Sequence, residues 1–295
     1  MRGQEPIPQP PTSHPFITRR RFLQTAALTA GAVALYSCEF ARHDLQLVHR
    51  TMLLRNLPEP FHNFRIVQIS DIHLDEYTEP IFLRHIIRRV NALAPDLVLI
   101  TGDFITHGPP RYVPEHAIYT CAETLKEITC PQRLACLGNH DSAVGASFIA
   151  RVLRDHGTPV LINQNIPIER DGHRLWIVGV EDPASARPSL TDAMPANPDG
   201  PVILMAHAPD YADYVATNPS GQLVDYMLSG HSHGGQVRLP IIGPLILPPM
   251  GKKYVEGYFR FGNLQLYVNR GLGAVGLPVR FDCPPEITHF TLQPA

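Results

Sequence analysis

The chain reads Phe64-Arg65-Ile66-Val67-Gln68-Ile69-Ser70 and passes at once into Asp71-Ile72-His73. The same punctuation recurs four times. Asp96-Leu97-Val98-Leu99-Ile100-Thr101 ends in Gly102-Asp103, and Arg133-Leu134-Ala135-Cys136-Leu137 ends in Gly138-Asn139-His140-Asp141. Val202-Ile203-Leu204-Met205-Ala206 ends in His207, and Val224-Asp225-Tyr226-Met227-Leu228 ends in Ser229-Gly230-His231-Ser232-His233. Short β-rich apolar runs bounded by Gly and polar residues predict buried strands. Ligands of open α/β sheets sit beyond the carboxyl ends of the strands. Folding is therefore expected to gather Asp71, His73, Asp103, Asn139, His207, His231 and His233 on one sheet edge, as a metal site.

Between these runs the pattern changes to helix. Glu79 to Leu93 places Phe82, Ile86, Val90 and Leu93 on one face and Arg84, Arg88 and Arg89 away from it. A second helix is expected from Pro114 to about Ile128, and a third from about Gly145 to Asp155, stopping at Gly157. With an opening strand over 45–54, strand–helix alternation predicts an α/β sheet covered on both faces. The second half predicts strands near 159–163, 174–180, 202–206 and 223–229, a short helix near 209–216, and late strands at Leu264–Val268 and Ile287–Leu292. No repeat of fixed period appears. The economical organisation is a leader over 1–37 and one domain over 38–295, its two halves supplying facing sheets.

Bulk composition excludes some function classes. The net charge of −2 and the lack of a long basic run argue against a nucleic-acid partner. Thirty prolines in 295 residues point to long ordered loops rather than a helical bundle. Cys121, Cys130, Cys136 and Cys283 form no C-x-x-C pair, so no thiolate zinc site is expected. Cys136 reads as a small core residue, and a Cys121–Cys130 disulfide stays open.

The N-terminus has a different character. Residues 1–17 are Pro-rich and polar, followed by Thr18-Arg19-Arg20-Arg21-Phe22-Leu23-Gln24 and an uncharged stretch from Phe22 to Cys38. A basic segment before a moderate apolar one is the layout of an export signal, and this string resembles the twin-arginine consensus. Export to the periplasm or the outer face of the cytoplasmic membrane is the expectation. Cleavage, retention as an anchor, and lipidation at Cys38 stay open. Without residues 1–37, which carry four Arg and one Glu, the remainder has 21 basic and 26 acidic residues and a net charge of −5. Electrostatic adhesion of the folded part to anionic lipid is therefore not expected.

A fixed string such as Gly138-Asn139-His140-Asp141 arises by chance about once in a thousand chains of this length. Here it stands between Asp71-x-His73, Gly102-Asp103 and Gly230-His231-x-His233 in fixed order, each after a predicted strand. Over residues 45–292 the series resembles the calcineurin-like metallophosphoesterase superfamily. The resemblance implies a β-sandwich flanked by helices with two divalent ions at the strand ends. It assigns Asp71, His73, Asp103 and His233 to one ion and Asp103, Asn139, His207 and His231 to the other. Asp103 is then the shared ligand, since one carboxylate can bridge ions about 3.5–4 Å apart. Imidazole and oxygen donors without thiolate suit Mn²⁺, Fe or Zn²⁺. Two such ions, two Asp and a bridging hydroxide leave about +1, which a phosphodiester monoanion neutralises. The resemblance makes that hydroxide the in-line nucleophile and His140 the acid for the leaving oxygen. Asp141, beside Ser142 ahead of the third helix, reads instead as an N-cap.

Departures from the family pattern narrow the activity. The Ser/Thr phosphatases of the superfamily carry Gly-Asp-x-x-Asp-Arg-Gly, where this chain has Gly102-Asp103-Phe104-Ile105-Thr106-His107-Gly108. The second Asp and the Arg are missing, which disfavours protein phosphatase activity and leaves His140 without an identified orienter. Leu239 to Met250 carries no charge and four prolines, either as a loop packed back on the sheet or as an apolar lip for an acyl chain or a bilayer. Asn269-Arg270-Gly271-Leu272-Gly273, Pro278-Val279-Arg280-Phe281 and Pro284-Pro285-Glu286 resemble the exported or membrane-bound bacterial branch. Members of that branch hydrolyse phosphodiesters, some related ones the pyrophosphate of UDP-2,3-diacylglucosamine. Arg238, Arg270 and Arg280 either bind a second phosphate or pair with surface acids. The expected function is hydrolysis of phosphodiesters, small or lipid-linked, in association with a membrane. A broad phosphomonoesterase and a non-catalytic metal-binding scaffold are the alternatives.

Overall fold

The computed structural model describes residues 18–75, 77–107 and 116–295. In chain order α1 (Arg19–Leu35) precedes β1 (Gln46–Leu54), β2 (Arg65–Ile69), α2 (Pro80–Ala92), β3 (Leu97–Thr101), α3 (His116–Leu125), β4 (Arg133–Cys136) and α4 (Asn139–Asp155). The second half adds β5 (Gln164–Arg170), β6 (His173–Gly179), α5 (Leu190–Ala193), β7 (Val202–Met205), α6 (Ala212–Thr217) and β8 (Tyr226–Ser229). Two short strands, β9 (Arg238–Leu239) and β10 (Gly243–Pro244), come before β11 (Gly257–Phe261), β12 (Leu264–Val268) and β13 (Glu286–Pro294).

Burial follows strand type. β3, β7 and β8 are buried at every position, as strands covered on both faces must be. Alternation then sorts their side chains: Leu97 and Leu99 face the second sheet, while Val98 and Ile100 face the helices. The sheets run in the orders β1-β13-β2-β3-β4 and β11-β12-β8-β7-β6-β5. Between them lies a core that includes Ile66, Leu134, Ile203, Met205, Tyr226 and Leu228. Helices α2, α3 and α4 cover the first sheet, with Phe82, Ile86 and Val90 of α2 buried against it. The result is an α/β sandwich of two sheets flanked by helices, as the sequence predicts.

Gln68 ties the two sheets at the functional edge. Its amide nitrogen donates to Thr101 Oγ1 and to the carbonyl of Ser229, both at 3.0 Å, so the ends of β2, β3 and β8 are held together.

Several expectations need correction. The third helix begins at Asn139, not Gly145, which lies inside it at φ 139° and breaks it. Residues 159–163 form no strand; Val160 makes one isolated bridge to Ala135, and the edge strand is the more polar β5. The halves do not supply one sheet each, because β13 inserts between β1 and β2. The Pro-rich 1–17 segment and the helix start at Pro114 lie outside the described residues. All five cysteines are unbonded, Cys121 and Cys130 included.

Candidate metal centre

Five of the seven expected ligands sit in left-handed backbone: Asp71 at φ 50°, His73 at 47°, Asp103 at 55°, His231 at 69° and His233 at 52°. Each such non-Gly residue costs on the order of 1–3 kcal/mol, and such strain persists where surrounding structure enforces it. Here the loops enforce it on one another. The Asp71 N–H donates to the Gly102 carbonyl at 2.9 Å, and the His73 N–H to the Asp103 carbonyl at 3.0 Å. The motif glycines are required by contact. A Cβ at Gly138 would stand 2.1 Å from Asp103 Oδ1, and one at Gly230 would stand 2.2 Å from Asp71 Oδ2.

The loops converge their side chains. His233 Nε2 lies 3.3 Å from Asp71 Oδ1 and 3.1 Å from His73 Nε2. Asp103 Oδ2 stands 3.6 Å from His73 Nε2 on one side and 3.0 Å from His207 Nε2 on the other. His231 joins Asp103 and His207 within ligand spacing. Two groups thus share one carboxylate.

Hydrogen bonds on the far side of three rings select the inward nitrogen. His207 Nδ1 donates to the Thr101 carbonyl at 2.6 Å, which turns Nε2 toward Asp103 Oδ2 as the nitrogen for a ligand. His231 is reversed: Nε2 donates to the Pro249 carbonyl at 2.7 Å, so Nδ1 is the nitrogen left for a ligand. The Thr106 hydroxyl gives its proton to Asp75 and accepts from His73 Nδ1 at 3.1 Å, freeing Nε2. Such outer partners are how metal-binding histidines are oriented. His233 differs, since its Nδ1 lies 3.4 Å from Arg280 Nη2, too long for a firm hydrogen bond.

Electrostatics agree with a cation-binding site. Burial raises the Asp103 carboxyl, yet His207 beside it holds it well below the usual range. Asp71 behaves alike, raised by burial and pulled lower by His233 and His207. Burial works to lower His207, but Asp103 lifts it well above the ordinary value, whereas burial keeps His73 well below. Among the described residues, the ion pairs of Asp71 and Asp103 are all with histidine. One further atom tests the fit. Asn139 Oδ1 is buried and has no hydrogen-bond partner, which a neutral oxygen ligand explains. The donor set fits divalent ions.

Asp141 is not the N-cap: Gly138 holds that position, and Asp141 lies in the first turn of α4. Its carboxylate accepts from Gly138 N–H at 3.0 Å, as in a capping box, but also from Asp103 N–H at 2.8 Å and Phe104 N–H at 2.9 Å. It welds the β3 and β4 loops and imposes the Asp103 backbone. Burial and the Asp103 charge push its carboxyl up to about 8, against the pull of those donors.

His140 is half-buried, and its ring meets His73 edge-on with centroids 4.9 Å apart. Its missing orienter is backbone: Nδ1 lies 2.8 Å from the His107 carbonyl and 2.9 Å from the His107 N–H. The ring is held whichever form Nδ1 takes, and Nε2 stays available for proton transfer. Thr106, in the position of the phosphatases' second Asp, serves His73 instead. Asp103, Asn139, His140, His231 and His233 line a cleft of about 510 Å³ whose other wall is apolar, from Val237, Leu245, Ile246 and Leu277. Residues 241–246 are not packed back on the sheet, since Ile241, Ile242 and Ile246 are exposed, whereas Met250 packs against the core of the second sheet. Arg238 pairs with Glu256 and Arg270 with Glu286. Arg280 fits neither expectation: it is fully buried and donates to the carbonyls of Gly273 and Cys283.

The family model described as calcineurin-like phosphoesterase matches residues 64–235, the span that holds all eight site residues. The chain belongs to that family. The uncharacterized metallophosphoesterase YkuE of Bacillus subtilis is 35% identical over 289 residues, covering 94% of this chain and 98% of its own. Phosphodiesterase YaeI of Escherichia coli is 31% identical over 94% of this chain and 99% of its own. UDP-2,3-diacylglucosamine pyrophosphatase LpxG of Chlamydia trachomatis is 29% identical over 89% and 95%. This calcineurin-like phosphoesterase is accordingly a hydrolase, and its clustered Asp and His residues are of the kind that hold the family's divalent metals.

Proposed function

We propose that the protein is an exported phosphodiesterase working at two divalent ions, Mn²⁺, Fe or Zn²⁺. The observation that carries this reading is the Asp103 carboxylate, placed between two groups of imidazoles. Asp71, His73, Asp103 and His233 would hold one ion; Asp103, Asn139, His207 through Nε2 and His231 through Nδ1 would hold the other. Bound there, the ions supply Lewis acidity toward the phosphoryl oxygens and lower the pKa of water. Asp103 keeps the two groups in register. His140, steadied by the His107 backbone, delivers a proton from Nε2 to the departing oxygen. The apolar wall beside His140 favours a diester with a hydrophobic substituent, including lipid-linked ones of the kind LpxG's name describes.

Turnover of bis-p-nitrophenyl phosphate against the monoester tests the reaction class. Diester hydrolysis should dominate. Faster monoester hydrolysis supports a phosphomonoesterase, and no turnover of either with metals loaded supports a scaffold.

Export rests on Thr18-Arg19-Arg20-Arg21-Phe22-Leu23-Gln24 and on α1, which is exposed along its length. Among the described residues no helix is long and apolar enough to cross a membrane. Arg19→Lys with Arg20→Lys should trap the protein in the cytoplasm, because the receptor reads the arginine pair rather than its charge. Fractionation that still finds the double variant outside contradicts this route.

A further inference from the structure

The tip of the 239–250 segment carries an apolar surface that the fold leaves uncovered. Ile241 is wholly exposed, Ile242 and Ile246 are 70% and 80% exposed, and Leu245 and Leu277 more than half. The tip is held out by design of the backbone: β9 and β10 pair as a hairpin, and Ile241 takes a left-handed φ of 70°. Contiguous apolar exposure of this kind marks an interaction site. Its occupant is indicated by what adjoins it. Val275, Gly276, Leu277 and Val279 line the cleft, and the chain just beyond them is flanked by two elements. Phe281 pairs with the β9 edge through the Arg238 N–H at 2.9 Å, while the Arg280 N–H donates to the Ser37 carbonyl at 3.1 Å. Ser37 lies in the helical turn Tyr36–Phe40 directly after α1, where exposed Tyr36 and Phe40 stack at 6.5 Å. One wall thus joins the hairpin tip, the mouth of the catalytic cleft and the root of an exposed helix uncharged after Arg21.

We infer that this face docks on a lipid bilayer, with Ile241, Ile242 and Ile246 inserted among the acyl chains and the cleft opening at the headgroup level. Tyr and Trp rings favour the membrane–water boundary, the place Tyr36 would take beside this face. The segment has no charge of its own, so its insertion is driven by apolar burial and is insensitive to salt. The inference adds to the proposed activity a membrane surface for that same cleft, and rests on that reading only for the cleft being catalytic.

The single Trp of the chain, Trp176, allows a direct test on the full chain. In a Trp176→Phe background, Ile241→Trp places a probe at the tip without disturbing packing, and Tyr119→Trp places one on α3 in the helix layer. With phosphatidylcholine vesicles containing brominated phosphatidylcholine, the Ile241→Trp emission should shift to the blue and lose most of its intensity, at low and high salt alike. The Tyr119→Trp emission should not change. An unquenched tip on protein that still sediments with vesicles means that α1 alone anchors the chain, and overturns the inference. So does a tip covered by a second copy, seen as a concentration-dependent dimer that ignores vesicles. Hydrolysis of bis-p-nitrophenyl phosphate by the same protein separates the two readings. Quenching without turnover supports docking and sinks the catalytic proposal; turnover without quenching does the reverse.

Discussion

Asp103→Asn should abolish turnover and lower bound metal to well under two ions per chain. The carboxylate has both oxygens committed. Oδ1 accepts the His140 N–H at 2.9 Å, and Oδ2 faces His207 and His73. An amide that keeps its oxygen on the His140 N–H turns its NH₂ toward the metal positions, where it repels a cation. An amide flipped the other way buries two N–H groups against one. Both arrangements also remove a negative charge that the two proposed ions would share, a loss of several kcal/mol of charge stabilisation and so at least about 10³-fold in rate. Metal analysis that finds two tightly held ions in the variant contradicts the shared-ligand assignment.

His140→Ala should leave both ions in place and slow hydrolysis by about 10²–10⁴-fold, the range for a general acid. The contact from residue 140 to Asp103 is made by the backbone N–H, which alanine keeps. The loss should shrink for esters with good leaving groups, which need little protonation. His140 also clusters with His73 and Asp103 at ligand spacing, so metal content decides between acid and additional ligand. A variant that loses an ion, or is slowed equally for all leaving groups, contradicts the acid role.

The residues legible in the sequence are those whose role is carried by a side chain at the end of a buried strand. Leu97–Thr101, buried throughout, leaves an unbroken apolar run that points at Gly102 and Asp103. Edge elements leave a weaker pattern. β5 has one buried position in seven and contains Pro167, so it shows neither an apolar run nor clean alternation. The insertion of β13 beside β1 depends on long-range pairing that no local pattern encodes. The orienter of His140 leaves no sequence signal for a related reason, because it is the His107 backbone, which any residue type could supply. Proximity to a helix makes Asp141 read as an N-cap, a position that Gly138 takes instead. Its burial, and the two extra N–H groups it accepts, follow from how the β3 and β4 loops meet. Arg280 reads as a phosphate ligand or a partner of surface acids, yet its guanidinium satisfies carbonyl groups inside the fold.

Anomalous diffraction from crystals of the manganese-loaded protein tests the central claim most directly. The account expects two peaks: one among Asp71, His73, Asp103 and His233, the other among Asp103, Asn139, His207 Nε2 and His231 Nδ1. A single peak, or a second one not touching Asn139 Oδ1, would contradict it.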